Sequence, residues 1–102
     1  MSSKLNEDFL FLIFSIIEEI PEGKVATYGQ IAALAGYKKN SRLVGKAVGI
    51  SQLYGDYPCF RMVNSQGRCA PNWPEQRELL ENDGVTFKEN GCVDLKKHQW
   101  KI

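Results

Sequence analysis

Thr27-Tyr-Gly-Gln-Ile-Ala-Ala-Leu-Ala-Gly36 and, after the basic turn Tyr37-Lys-Lys-Asn40, Ser41-Arg-Leu-Val-Gly-Lys-Ala-Val-Gly49 form the stretch that decides the fold. Thr27 reads as an N-cap, Ile31, Leu34 and Ala35 fall on one helical face, and Gly36 marks the stop. Ser41 reads as the cap of a second short helix that packs through Leu43, Val44, Ala47 and Val48 and ends at Gly49. Two short helices joined by a glycine-containing turn describe a helix-turn-helix, although any αα corner of a small domain shares that spacing. Gly45 stands out. Inside a helix glycine costs about 1 kcal/mol relative to alanine, so it points to another backbone or a ligand lying close.

Upstream, Phe9-Leu-Phe-Leu-Ile-Phe-Ser-Ile-Ile predicts a helix over 7–19, with Asn6 as N-cap and Glu7 and Asp8 where the helix dipole favours negative charge. It is apolar nearly all round, which predicts burial on more than one side. Ile20-Pro-Glu-Gly-Lys24 reads as a turn and Val25-Ala26 as a short bridging strand. Downstream, Ile50 to Tyr57 is a loop, and Tyr57 to Val63 is an apolar run. Asn64-Ser-Gln-Gly67 is a strong turn signal, and Pro74 opens a helix through Leu79 and Leu80 with Gly84 beyond its end. Val85-Thr-Phe-Lys88 and Cys92-Val-Asp-Leu95 flank Glu89-Asn-Gly91 as in a hairpin. The fold class that follows is mainly α, with a small β hairpin.

The chain has 102 residues, 43% apolar and 25% charged, which describes one globular domain over 1–102. No apolar stretch reaches the roughly 18 residues of a membrane span, and no signal-peptide pattern is visible. Cys59, Cys69 and Cys92 are odd in number and lack metal-ligand spacing, which argues against a disulfide framework or a zinc site and for a reducing, cytoplasmic setting. Net charge is +1, but between Glu22 and Arg68 seven cations face only Glu22 and Asp56, a surplus of five that leaves −4 on the flanks. Such asymmetry suggests a basic face turned toward an anion.

Pro58-Cys59-Phe60-Arg61 sets a potential nucleophile beside a cation. By default a cysteine in an apolar run is a small buried hydrophobe, so Cys59 is a candidate only in context. His98 reads as surface, Trp100 as core, and Trp73 equally as pocket wall or core cap.

Together Thr27-Tyr-Gly-Gln-Ile-Ala32, Arg42-Leu-Val-Gly-Lys-Ala-Val-Gly49, Pro58-Cys-Phe-Arg-Met-Val63 and Asn64-Ser-Gln-Gly67 resemble the DNA-binding, active-site domain of the O6-alkylguanine-DNA alkyltransferase family. The resemblance runs in order from about Ile20 to Gly84. It implies a winged-helix-like helix-turn-helix entering the minor groove and a target guanine flipped from the stack. In the family, the cysteine of a Pro-Cys-His-Arg motif accepts the alkyl group. By motif, Tyr28 would crowd the phosphate of the flipped nucleotide, and Arg42 would fill the vacated place. Lys38, Lys39, Ser41, Gly45 and Lys46 complete the expected DNA contacts. Tyr28, Pro58, Cys59, Phe60, Arg61 and Trp73 form the expected lesion pocket.

The departures weigh as much as the matches. Phe60 stands where the family has histidine and can neither accept nor relay a proton. The family's asparagine falls near Ser51 and its glutamate on Asp83. A short chain with this changed motif is similar to the alkyltransferase-like proteins, which bind alkylated guanine without turnover and flag it for nucleotide excision repair. Those commonly lack the cysteine, whereas Cys59 is kept. The alternative is therefore a slow methyltransferase with Cys59 as suicide acceptor, and the bland reading is an interaction domain that keeps only the fold. The implied partners are double-stranded DNA carrying alkylated guanine and nucleotide excision repair proteins. The chain is expected to be a monomer off the membrane, nucleoid-associated or, in a eukaryote, nuclear, with neither cofactor nor metal.

Overall fold

A computed structural model describes residues 7–101. The chain folds as two compact units: one comprises residues up to Glu19 together with Tyr28–Cys59, the other Ile20–Thr27 together with Phe60 onward.

The first unit is helical. Helix α1 (Glu7–Glu18) buries Phe9, Leu10, Ile13, Phe14 and Ile17, which recur at the spacing that aligns side chains along one helical stripe. Its opposite side is open: Phe11 is 58% and Leu12 39% exposed, so the burial on more than one side expected of this helix is not found. Packing is supplied from one side only. Asn6, the expected cap, lies outside the described residues. Helix α2 (Tyr28–Leu34) and helix α3 (Ser41–Gly49) pack on each other and on α1, burying Ile31 and Ala32 from one and Val44 and Ala47 from the other. Burying a side chain of the size of Ile31 or Val44 contributes roughly 2 kcal/mol.

Leu34 is 44% exposed rather than packed, because α2 ends there. Gly36, at φ +84°, lets the backbone curl back: Tyr37 N–H donates to Ala32 O (2.8 Å) and Gly36 N–H to Ala33 O (3.1 Å), the paired bonds of a Schellman end. Helix α3 starts one residue earlier than expected. Ser41 is its first residue rather than its cap, and Asn40 holds the cap position without a side-chain hydrogen bond. Two ring contacts fasten the turns to α1. Phe9 meets Tyr37 edge-on at 4.9 Å, and Phe14 stacks on Tyr57 at 4.6 Å.

In the second unit, strand β1 (Ala26–Thr27) pairs in parallel with strand β2 (Met62–Val63), Ala26 opposite Met62 and Thr27 opposite Val63. Val25, Val63, Leu80, Val85 and Val93 make the core. Helix α4 (Glu75–Asn82) begins just after Pro74, which occupies the cap position, and helix α5 (Leu95–His98) is a single turn.

The expected hairpin is reduced to one antiparallel bridge, Phe87 to Val93. Its ladder cannot lengthen, because the donors that would extend it are used elsewhere: Thr86 N–H goes to His98 Nε2 (3.1 Å) and Cys92 N–H to Asn90 Oδ1 (3.0 Å). Gly67 must be glycine here, since a Cβ would sit 2.6 Å from Val93 O.

His98 is buried, not on the surface as its basic neighbours suggested. Thr86 N–H donates to its Nε2 at 3.1 Å, which leaves Nδ1 protonated and donating to Gly23 O at 3.1 Å.

Candidate nucleic-acid interface

Helix α3 carries the candidate surface. Tyr28, Ser41, Arg42, Gly45 and Lys46 line an open concavity of about 480 Å³ within the first unit. Their grouping follows from helical geometry. Residues 41, 42, 45 and 46 recur at three- and four-residue spacing on one side of α3, and Tyr28 begins the helix packed beside it. Val44 and Ala47, between them, are turned to the core.

Gly45 resolves one of the two options its sequence left open. A Cβ built there meets no atom of another element within 4 Å, so among the described residues no other backbone packs against it. What the missing side chain leaves is free space at the surface of the concavity. Lys38 and Lys39 lie in the turn before α3, closed by Asn40 N–H donating to Tyr37 O at 2.9 Å. Lys39 adopts φ +76° there, a left-handed conformation uncommon for a residue with a side chain. Among the described residues none of Lys38, Lys39, Arg42 and Lys46 has a carboxylate in ion-pair range, so their charge faces outward uncompensated.

The thiol is a different matter. Cys59 is only 5% exposed and opens a 3-10 turn, Cys59–Arg61. Burial pushes its pKa above the ordinary value, a hydrogen bond from buried Ser51 pulls it back, and the Asp56 carboxylate adds a further push upward. Ser51, at the position where an asparagine was expected to order the segment, thus touches the sulfur itself.

Arg61 does not serve as a counter-charge for that thiol. Its guanidinium holds Asp83 through two bonds and reaches Ile20 O with a third at 3.0 Å. Asp83, at the family's glutamate position, also accepts Gly23 N–H at 3.0 Å. Phe60 is half-buried at the margin of the second unit's core, its ring face 5.1 Å from the Arg61 guanidinium carbon. Trp73 is half-buried as well. Of the expected lesion-pocket residues, Tyr28, Pro58 and Cys59 belong to the first unit and Phe60, Arg61 and Trp73 to the second.

Gln76 matters here and escapes a reading of the sequence. It is 1% exposed, and its side-chain amide donates to Phe60 O (3.0 Å) and Met62 O (2.7 Å) while its Oε1 accepts Ala70 N–H (2.7 Å). It fixes the backbone on both sides of Arg61. A glutamine in the first turn of a helix carries no signal that would single it out. Among the described residues no cluster of three or more His, Cys, Asp or Glu side chains is placed to hold a metal ion.

Known proteins share this fold. The chain is 41% identical over 98 residues to a protein named DNA base-flipping protein from Vibrio parahaemolyticus, covering 93% of this chain and 98% of that one. Its fold is similar to the crystal structure of Schizosaccharomyces pombe Atl1 in complex with damaged DNA containing O6-carboxymethylguanine. That match has a TM-score of 0.83 and 28% identity over 95% of this chain and 98% of the other. Mycobacterium tuberculosis OGT in complex with DNA is more distant, with a TM-score of 0.67, 27% identity, and coverage of 76% of this chain and 50% of that one. The family model described as 6-O-methylguanine DNA methyltransferase, DNA binding domain, matches residues 8–85. The fold, the order of its motifs and these matches agree, and the chain belongs to that family.

Proposed function

We propose that this chain binds duplex DNA through α3, turns an O6-alkylated guanine out of the stack, and holds it without removing the alkyl group. The carrying observation is the concavity of Tyr28, Ser41, Arg42, Gly45 and Lys46. Gly45 lowers helix stability, and nothing among the described residues requires it, so the space it leaves serves an approaching ligand. Unpaired cations on the turn and on α3 supply attraction to phosphates, and Arg42 is the side chain that would fill the gap left by a flipped base. Relatives crystallised with DNA support this reading.

The thiol's surroundings support the absence of turnover. Alkyl transfer would form an S–C bond while the bond from guanine O6 breaks, and the leaving base would need a proton. Burial disfavours the thiolate, and Phe60 has no proton to give. A lesion held but not repaired must be handed on, which fits marking for nucleotide excision repair.

The deciding measurement is fluorescence anisotropy with duplexes carrying guanine or O6-methylguanine at one position. The expected result is tighter binding to the modified duplex, lost in Arg42→Ala; equal affinity for both duplexes defeats the proposal. The Ser51 hydrogen bond to the sulfur favours the thiolate and so sustains a second reading, slow alkyl acceptance by Cys59. Intact mass after incubation with the methylated duplex separates the two: a methyl on the Cys59 peptide establishes transfer.

A further inference from the structure

The second unit contains another concavity, about 640 Å³, whose lining includes Arg68, Lys88, Lys96, Ser65, Asn90 and Asp94. Three cations meet one carboxylate there. Elsewhere in this unit arginines are matched to acids, Arg61 to Asp83 and Arg77 to Glu81. Arg68, Lys88 and Lys96 have no ion-pair partner among the described residues. Neutral donors join them. Asn90 spends its Oδ1 on Cys92 N–H (3.0 Å), so its side chain offers the NH2 group, and Ser65 lines the same hollow.

Like charges gathered around a hollow repel one another within a Debye length of roughly 10 Å, and an anion that enters relieves this. A guanidinium fork with ammonium, hydroxyl and amide donors suits the several oxygens of a phosphate. The geometry points to a second phosphodiester site, separate from α3, in which Arg68, Lys88 and Lys96 hold a backbone phosphate of nucleic acid. This rests on the reading that the chain binds DNA, which brings a polyphosphate to the molecule and raises its effective concentration at any further site.

The test is the salt dependence of duplex binding, followed by anisotropy, for the wild-type chain, Lys88→Gln, the triple variant Arg68→Gln/Lys88→Gln/Lys96→Gln, and Lys97→Gln. Lys97 is the control, an adjacent cation on α5 that does not line this concavity. Each phosphate interaction removed should lower the slope of log K against log salt by about 0.9, while Lys97→Gln keeps the wild-type slope. Melting curves establish that the variants fold, and Lys88→Gln serves if the triple variant does not. If Arg42→Ala weakens binding but the slope is unchanged in Lys88→Gln and in the triple variant, the second site is overturned and the α3 reading stands. If no variant binds differently and the wild-type chain itself ignores DNA, both fall. Two further arms name the rival occupants. Backbone amide shifts around Arg68 and Asn90 produced by inorganic phosphate but not by duplex would mean a small-anion site. The same shifts from polyglutamate but not duplex would mean an acidic protein partner. Either result overturns the proposal.

Discussion

Arg61 and Asp83 face each other in a two-pronged pair, Nε to Oδ2 and Nη2 to Oδ1, both at 2.8 Å, with side chains 15% and 9% exposed. This pair turns the cation next in line to the thiol into a structural brace for Gly23 and Ile20. The arginine of the changed motif is thereby accounted for without any role in ionising Cys59.

Asp83→Asn should cost about 3 kcal/mol, because it leaves a largely buried guanidinium without its charge partner. The Arg61 hydrogen bonds hold the Asp83 carboxyl below its ordinary value of 3.8, so its stabilisation is complete above that value and is lost as pH falls through the lowered folded value. Urea midpoints at pH 7 and pH 3 check this. The gap between wild type and Asp83→Asn should be narrower at the second than at the first; a gap independent of pH would refute the assignment.

Cys59 should be alkylated slowly by iodoacetamide at neutral pH, with a rate that climbs beyond the ordinary thiol value of 9.0. Asp56→Asn should shift that profile to lower pH and Ser51→Ala to higher pH, since the carboxylate opposes the thiolate and the hydroxyl supports it. Peptide mass spectrometry follows Cys59 apart from Cys69 and Cys92. A profile centred near pH 7 would show that the thiol is activated after all.

Gln76→Leu keeps the bulk of a fully buried side chain but strands Phe60 O, Met62 O and Ala70 N–H. A loss of about 3 kcal/mol in chemical denaturation is expected. Glu78, two residues along the same helix and exposed, is the reference: Glu78→Ala should stay within about 0.5 kcal/mol of wild type. Equal losses in the two variants would show that the Gln76 hydrogen bonds carry no stability.

Lys39→Gly should raise stability by about 0.5 kcal/mol, since the strain relieved at φ +76° outweighs the freedom that glycine adds to the unfolded chain. Duplex affinity should fall in the same variant. Lys39→Asn, which tolerates the conformation and removes the charge, should share the loss. Stability and binding moving in opposite directions would mark strain kept for function; unchanged affinity in both variants would show that Lys39 makes no phosphate contact.

The helices and their stops were legible in the sequence because local rules govern them. Gly36 ends α2 through a backbone conformation that glycine favours, and the buried stripe of α1 is visible in its spacing. Side-chain partnerships were less legible. Nothing near Gln76, His98 or Asp83 in sequence announces that each binds backbone groups far along the chain, because such bonds are settled by tertiary position. The hairpin was overestimated for the same reason: the diversion of Thr86 N–H to the His98 ring is a tertiary competition that alternation cannot reveal. The candidate surface lies between these cases. Residue spacing placed Arg42, Gly45 and Lys46 together, and only the structure determined that Gly45 faces empty space.

The two units are interleaved along the chain, which enters the second at Ile20, returns to the first at Tyr28, and leaves it again after Cys59. Any gene fragment that encodes the whole first unit must also encode Ile20–Thr27, and any that encodes the whole second unit must also carry α2, α3 and Cys59. Neither unit can therefore be exchanged whole as one contiguous segment, whereas substitution residue by residue leaves the interleaving intact.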